Sequence, residues 1–282
     1  MLDSPYRGRL ISVGTRHGKQ YQLAAGFRRV LGARLITPPN LDTDRFGTFT
    51  GDAPRNMSPL EAARAKARLA MDASGLPFGL ASEASYGVLT ADGWFGHEEI
   101  LLFCDALLDI EVLEGFRTAS VPGASHCVAD FDEVPHALVK NLSTQALIVR
   151  AFGIADPAVA LVKGITDTSA LRTAITAAAA RSPEGRAVVE PDLRAHHNPS
   201  RRRILTELAD TLARRLATRC ADCETPGFGR VSMETGLPCR ICRSPTALVH
   251  TDIHGCAACE YRQRQPVPVA SADPAHCPQC NP

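Results

Sequence analysis

The sequence has no apolar run long enough to cross a bilayer, and its first residues, MLDSPYRGRL, lack the basic, apolar and small-residue pattern of a signal peptide. It also has no excess of charge, because 31 Lys and Arg balance 30 Asp and Glu. These absences argue against a membrane partner and against a general attraction to polyanions. We therefore expect a cytoplasmic protein, in which nucleic-acid binding would require a local basic patch.

Cysteine is scarce over most of the chain and abundant at its end. Only Cys104 and Cys127 precede Arg219, whereas eight cysteines fall in the last 63 residues as four Cys-x-x-Cys pairs. This change predicts two domains, 1–217 and 218–282. Pairs with this spacing in a reducing compartment are typical of tetrahedral zinc sites. The alternative is a disulfide framework, which is typical of exported proteins.

Eight thiolates are enough for two closed four-cysteine sites, which makes the two expected zinc ions structural. The spacing favours a nested arrangement, in which the second Cys-x-x-Cys pair shares one ion with the third, and the first shares the other with the fourth. An interleaved arrangement, first with third and second with fourth, stays open. The predicted ligands are Cys220, Cys223, Cys239, Cys242, Cys256, Cys259, Cys277 and Cys280. Such a ribbon is a candidate surface for docking a protein partner.

The first 217 residues alternate strand and helix signals. RLISVG, FGLAS and EILLFC have the composition of strands, and QYQLAAGFRRVL and SALRTAITAAAAR have helical spacing. Ser58, Pro59 and Glu61 form a helix-start signature. Asn198 and Pro199 open a final helix with an apolar stripe. The sequence therefore predicts an α/β fold with a mixed sheet.

Two polar segments are candidates for binding a substrate. GTRHGK, at 14–19, follows the first strand, and its backbone N–H groups and Lys19 ammonium suit a phosphate at a helix N-terminus. EPDLRAHHNPS, at 190–200, precedes the last helix. The plainer interpretations are a glycine-rich turn and a polar loop with an Asn cap. The candidate substrate-binding residues are Thr15, Arg16, His17, Arg194, His196 and His197.

A third polar group consists of Glu61 and Lys66 on one predicted helix and Glu83 after the strand FGLAS. Glu61 has a plainer interpretation as a capping-box acid, and Lys66 as part of a solvated helix face. Glu83 is harder to explain in this way, because acids are disfavoured in strands. We expect the strand to end at Glu83 and the carboxylate to lie near a lysine or a metal ion.

Taken in order, these motifs resemble those of the inosine triphosphate pyrophosphatase family and its inosine/xanthosine triphosphatase relatives. In that family a helix beginning Glu-Asn-Ala-x-x-Lys-Ala precedes a tGLPalaDDSGL strand; here EAARAKA is followed by SGLPFGLASEAS. Glu61, Lys66 and Glu83 fall on the family's acid, lysine and second aspartate, and Ser82 stands at its first aspartate. TRHGK is similar to the family's Thr-x-x-x-Lys turn. RAHHNP is similar to its base-recognition segment, with His and Arg in the opposite order.

The resemblance implies a mixed-sheet nucleoside triphosphate pyrophosphatase-like domain followed by a small zinc ribbon. It also implies a metal-dependent nucleotide pyrophosphohydrolase. Lys19, Lys66 and Glu83 would be catalytic, and Mg²⁺ would be held by Glu61 and Glu83 together with substrate phosphates. The alternative is a nucleotide-binding or scaffold protein without catalysis, which Ser82 in place of an aspartate favours.

Overall fold

The structure is a computed structural model that describes residues 4–48, 55–88, 93, 95–121, 123–154 and 161–282. None of the helices in these ranges has the length and apolar content that a bilayer crossing requires. The helices are α1 (Gln20–Leu31), α2 (Pro59–Ser74), α3 (His136–Lys140), α4 (Thr168–Arg181) and α5 (Pro199–Ala217). The strands are β1 (Leu10–Val13), β2 (Arg34–Ile36), β3 (Phe78–Val88), β4 (Phe95–Asp105), β5 (Ile110–Thr118), β6 (His126–Val128), β7 (Leu147–Ala151), β8 (Leu161–Ile165), β9 (Ala187–Pro191), β10 (Gly229–Thr235), β11 (Val249–Gly255) and β12 (Arg262–Pro266).

The largest sheet has the strand order β2-β1-β3-β4-β5. Its β2, β1 and β3 run parallel, and β4 is antiparallel to both of its neighbours, β3 and β5. Helices α1 and α5 pack on one face and α2 packs on the other, so strand residues alternate between two cores. In β4, Leu101 and Phe103 face α1 and α5, whereas Ile100 and Leu102 face α2. The predicted mixed α/β fold is confirmed.

The strands of this sheet have unequal lengths at the end where the polar residues gather. β1 ends at Val13, opposite Leu80, whereas β3 continues to Val88. Glu83 pairs with Ile100 of β4, so the prediction that the strand ends at Glu83 is wrong. The acid marks the point where the neighbouring strand β1 has already turned away, which leaves an open space beside β3.

A second sheet, with the order β6-β9-β7-β8, has its own core against α4. The sequence predicts α4 from SALRTAITAAAAR, and ALIVRAF, which contains β7, and AVALVKGI, which ends in β8, have the composition of strands, but their pairing in a separate sheet is not predicted. The chain leaves this sheet after β9, passes through a short 3-10 helix at Ala195–His197 and enters α5, which packs on the first sheet. EPDLRAHHNPS is therefore the connection between the two sheets.

The third sheet is an antiparallel meander, β10-β11-β12, within the cysteine-rich residues 218–282, here called the ribbon. α5 ends at Ala217, at the predicted boundary. Arg215 of α5 donates to the Gly227 carbonyl at 3.0 Å and pairs with Glu114 of β5 at 2.9 Å. Gly227 has φ +97, and a Cβ there would lie 2.6 Å from a Val112 methyl. The ribbon thus packs closely on α5 and β5.

Candidate functional site

The three polar segments that the sequence singles out meet in one cleft beside β3. GTRHGK forms its floor, α2 and β3 form one wall, and the connection between the two sheets forms another. Thr43 and Asp44, from the loop after β2, also line the cleft. Its polar and charged lining includes the side chains of Thr15, His17, Lys19, Asp44, Lys66, Glu83, Arg194 and Arg201.

The GTRHGK turn is held by its own threonine and by a close approach of α2. Thr15 Oγ1 accepts hydrogen bonds from the backbone N–H groups of His17 at 3.2 Å and Lys19 at 3.4 Å. A Cβ on Gly14 would lie 2.2 Å from the Lys66 carbonyl oxygen. Glycine is required at position 14 because any side chain would push α2 away from the turn.

Lys66 and Glu83 form a buried ion pair between α2 and β3. Arg55 lies 3.5 Å from the other carboxylate oxygen of Glu83 and donates to the Ala84 carbonyl at 2.6 Å. Burial alone would raise the pKa of Glu83, but the charges of Lys66 and Lys19 outweigh it and lower that pKa. Glu83 is therefore ionised and paired, and its predicted contact with a lysine is observed.

Lys19 lies on the other side of β3. Its ammonium donates to the Ser82 carbonyl at 3.1 Å and to the Ser82 hydroxyl at 2.9 Å. Burial, followed by the positive charge of Arg201, lowers the pKa of Lys19 to about 8. The lysine of the turn is thus held by a serine in this protein.

A buried charge pair that was not predicted from the sequence lies behind this wall. Glu99 of β4 is fully buried and accepts two hydrogen bonds from Arg201, at 2.7 and 2.9 Å. His97 Nε2 lies 3.3 Å from the same carboxylate, and Arg201 also donates to the Leu193 carbonyl at 2.6 Å. Burial raises the pKa of Glu99, but Arg201 and His97 outweigh it and lower the value to about 2.

A signal for this pair was present in the sequence. Arg201 falls on the helical stripe that Leu205, Leu208 and Leu212 form in α5. Glu99 shares its face of β4 with the apolar Leu101. A charge on each of two apolar faces indicates a buried pair, since an unpaired buried charge would be costly.

Three histidines lie in contact between the turn and the connection, and His17 is the one that lines the cleft. The ring of His17 stacks on that of His196 with centroids 4.8 Å apart, and His196 and His197 lie 4.0 Å apart. His17 also pairs with Asp44 at 3.0 Å, and Arg16 pairs with Asp44 at 3.1 Å. Burial and then the neighbouring His197 and His17 lower the pKa of His196 to about 4. Burial also lowers the pKa of His197.

Arg194 faces the cleft from the connection, and its guanidinium is paired with the fully buried Asp192 at 2.6 Å. Glu61 lies elsewhere. Its exposed carboxylate accepts from the Ser58 backbone N–H at 2.9 Å and from the Ser58 hydroxyl at 2.7 Å, and completes a capping box. The expected magnesium pair is not assembled, because Glu61 caps α2 while Glu83 is held by Lys66 and Arg55.

The ribbon cysteines form two clusters that could each hold a metal ion. One contains Cys220, Cys223, Cys256 and Cys259, and the other contains Cys239, Cys242, Cys277 and Cys280. The sulfur atoms of each cluster lie within 4.8 Å of one another, and contacts of 3.5 to 3.9 Å recur in both. Tetrahedral metal–sulfur bonds of about 2.3 Å would place the sulfurs about 3.8 Å apart. None of these eight cysteines forms a disulfide.

The favoured nested pairing is therefore wrong, and the pairing is interleaved. The reason is the meander, because successive Cys-x-x-Cys pairs are separated by a strand and lie at opposite ends of the sheet. Gly229, at the start of β10, pairs with Gly255, at the end of β11, which brings the first and third pairs together. A seven-residue strand such as β10 spans roughly 20 Å, too far for consecutive pairs to share an ion.

Comparison with known proteins gives one family. The family described as "Domain of unknown function (DUF6671)" matches residues 66–282, which is most of the chain. The chain belongs to the DUF6671 family. No curated protein matches it, and no solved structure does. The DUF6671 match includes Lys66, Glu83, the histidine-bearing connection and the whole ribbon, and it begins after the GTRHGK turn.

Proposed function

We propose that the cleft binds the phosphate groups of a nucleotide and hydrolyses a nucleoside triphosphate to the monophosphate and pyrophosphate. The observation that carries this proposal is the convergence of Lys19, Lys66 and Arg194 on one cleft whose floor is a turn at the start of α1. Cations and backbone N–H groups at a helix N-terminus are the usual ligands of phosphate. The resemblance to the inosine triphosphate pyrophosphatase family supports the same conclusion.

The described residues of the cleft do not fit a resident magnesium ion. Its two carboxylates, Glu83 and Asp44, are already paired, with Lys66 and Arg55 and with Arg16 and His17. Among the described residues, the two cysteine clusters are the only groups of three or more His, Cys, Asp or Glu side chains that are close enough together to hold a metal ion. We therefore propose that magnesium enters with the nucleotide as its counter-ion, since Mg²⁺ commonly binds substrate phosphates directly.

The chain's own groups account for binding and orientation. Lys66 and the GTRHGK turn would hold the phosphates, and positive charge placed around a transferring phosphoryl group stabilises its transition state. Arg194 and the histidines His17, His196 and His197 would contact the base or the outer phosphates from the side of the connection. A neutral imidazole at His196, whose pKa is low, offers hydrogen bonds to a base without a charge.

The second candidate is nucleotide binding without hydrolysis. It is favoured by Ser82, which holds Lys19 where the resembled family has an aspartate. In either case we propose that the two cysteine clusters bind structural zinc, which would supply folding energy to a ribbon with few buried apolar residues. The exposed strands β10 and β12 would then be available to dock a protein partner.

The deciding experiment measures pyrophosphate release from a panel of common and deaminated nucleoside triphosphates with and without Mg²⁺. Binding of a non-hydrolysable analogue is measured in parallel by calorimetry. We expect Lys66→Gln to abolish hydrolysis and weaken binding, and Lys140→Gln, at an exposed site, to change neither. Arg194→Lys, which keeps the charge, should retain part of the binding. Binding without turnover would favour the second candidate. A Lys66→Gln variant that keeps full activity and full binding would overturn both candidates.

A further inference from the structure

A groove of about 670 Å³ lies between the last turns of α5 and the ribbon. This volume falls within the range of about 300 to 1,000 Å³ that is typical of ligand sites. One wall is a face of α5 and the other is a face of the β10-β11-β12 sheet. The groove is separate from the cleft, because Arg201 at the cleft and Arg215 at the groove lie roughly 20 Å apart along α5.

The groove carries an excess of positive charge. Four of the side chains that line it are arginines and two are acids. Glu114 is paired with Arg215 at 2.9 Å. Asp252 is paired with Arg230 at 3.6 Å. Each acid of the groove therefore has an arginine beside it, and two arginines are left over.

These two arginines, Arg214 and Arg219, are exposed. Neither has a carboxylate at ion-pair distance in the part of the chain that the structure describes. Arg214 donates to the Thr211 hydroxyl at 3.3 Å, and Arg219 donates to the Glu224 carbonyl at 3.1 Å. A cation in the last turn of a helix is stabilised by the helix dipole, which explains Arg214 but not Arg219, which lies beyond α5. Both guanidinium groups can therefore bind an anion.

The ribbon presents the face of its sheet, and not an edge, to this groove. In the register of β11 and β12, Asp252 lies opposite Gln265. His254 lies opposite Gln263, two positions along on the same face. All four residues line the groove. A partner that added a strand would need the edge of the sheet, whereas this face offers amide, imidazole and carboxylate groups.

One acceptor on this face lacks a donor. Asp252 Oδ1 is buried and accepts no hydrogen bond from the described residues. Arg230, at 3.6 Å, is too far away to donate one. A buried acceptor without a donor costs free energy, which a donor on a ligand would recover. The amino group of a base such as cytosine is a donor that carboxylates accept from.

We propose that the groove binds a single strand of nucleic acid, with phosphates on Arg214 and Arg219 and bases over the sheet face. Guanidinium groups bind phosphate oxygens, and amide and carboxylate side chains bind the edges of bases. Only a single strand leaves those edges free, because base pairing occupies them in a duplex. An acidic peptide would match the arginines, but its carboxylates would meet that of Asp252. The groove is the local basic patch that a chain with balanced charge needs for this function.

The experiment measures binding of the full chain to fluorescently labelled RNA and DNA strands of about 12 nucleotides that carry no terminal phosphate. Anisotropy is recorded over a range of salt concentrations. Binding of either strand supports the inference, and the ratio of the two affinities tells which of them is the ligand. Each phosphate contact of a single strand contributes about 0.7 to the slope of log affinity against log salt.

Arg214→Gln with Arg219→Gln should therefore lower that slope by about 1.4 and weaken binding about 25-fold at about 0.1 M salt. Lys140→Gln with Arg181→Gln is the matched control. It removes the same charge from the last turns of α3 and α4, so we expect no change in slope or affinity. Equal losses in the two double variants, or no binding by the unaltered protein, would overturn the inference.

Competition tests the identity of the ligand and the place where it binds. A duplex of the same sequence, polyglutamate and a non-hydrolysable nucleoside triphosphate should each fail to displace the strand. Displacement by the duplex or by polyglutamate would show a general anion site or an acidic partner, and displacement by the nucleotide would place the strand in the cleft. Each of these results would overturn the inference. Gln263→Ala with Gln265→Ala should change the preference among homopolymers and leave the salt slope unchanged, and an unchanged preference would overturn the assignment of the bases to the sheet face. The inference does not rest on the proposed function, because none of these measurements requires hydrolysis.

Discussion

Arg201 donates two hydrogen bonds, at 2.7 and 2.9 Å, to the two carboxylate oxygens of Glu99, which lies 102 positions earlier in the chain. The pair joins the first turn of α5 to the middle of the first sheet. Arg194 and His196 lie just before α5, so the pair fixes the wall of the cleft that they occupy. Glu99 and Arg201 thus position the connection between the two sheets.

We expect Glu99→Gln to lower the free energy of unfolding by about 3 to 5 kcal/mol, because it leaves the buried Arg201 without its counter-ion. Urea denaturation measures this change. Glu207→Gln is the matched control, since Glu207 forms an exposed ion pair with Arg203 in α5, the helix that also carries Arg201. Exposed pairs contribute about 0 to 1 kcal/mol. Equal effects of the two substitutions would contradict a structural role for Glu99.

The local parts of this fold were predictable from the sequence because their signals are local. The helix start at Ser58, Pro59 and Glu61, the Asn198 cap and the strand–turn–helix around GTRHGK all appear as predicted. Each depends on residues within a few positions of one another. Helix and strand propensities and capping residues were therefore enough to predict these elements.

The parts that depend on distant pairing were not predictable in the same way. Spacing suggested that the second Cys-x-x-Cys pair shares a metal with the third and the first with the fourth, but the strands between them decide which pairs meet. Arg201 and Glu99 each break an apolar pattern, yet nothing local joins them across so much of the chain. Glu83 lies beside a lysine as expected, but its position is set by the early end of β1, a property of the neighbouring strand.

Acid should destabilise the contact between the turn and the connection through His196. Its pKa in the folded protein is about 4, below the value of 6.5 expected when the chain unfolds. The unfolded chain therefore takes up the proton first, and stability is lost as pH falls from about 6.5 towards 4. We expect the pH dependence of the melting temperature to flatten in His196→Gln. It should persist in His136→Gln, whose imidazole is exposed.

Glu83→Gln should destabilise the protein because it leaves Lys66 buried without a counter-ion, a change of about 3 to 5 kcal/mol by analogy with other buried pairs. Glu61→Gln should be nearly neutral, since glutamine also completes a capping box. Urea denaturation with and without Mg²⁺, in the absence of nucleotide, measures both. The Glu61–Glu83 metal site would be restored if the two substitutions had similar effects. It would also be restored if Mg²⁺ alone stabilised the unaltered protein and each substitution removed that stabilisation.

Metal analysis of double variants should distinguish the interleaved from the nested pairing. We expect two zinc ions per chain in the unaltered protein. Cys220→Ala with Cys256→Ala removes ligands from one cluster and should leave one ion. Cys220→Ala with Cys277→Ala removes a ligand from each cluster and should leave both weakened or lost. The nested arrangement predicts the reverse result for the two double variants.

Arg215 should control how firmly the ribbon is held on the α/β part. Its guanidinium pairs with Glu114 and donates to the carbonyls of Gly227, Leu113 and Arg230, so it joins α5, β5 and the ribbon at one point. Both members of the ion pair are about nine-tenths buried. Removal of the guanidinium leaves the Glu114 charge and several carbonyls without a donor.

We expect Arg215→Met to weaken this contact by about 3 kcal/mol, the lower end of the cost of breaking a buried pair. Limited proteolysis after Ala217 should become about a hundredfold faster, because cleavage follows the population of the opened state when opening is rapid. Arg214→Met, at the exposed neighbouring position, should leave the rate unchanged. Both variants should retain their zinc, since each cysteine cluster lies wholly within the ribbon. Loss of zinc in Arg215→Met would show instead that the metal sites need the α/β part in order to fold. An unchanged cleavage rate would show that the contact between Val112 and Gly227 holds the ribbon without the arginine.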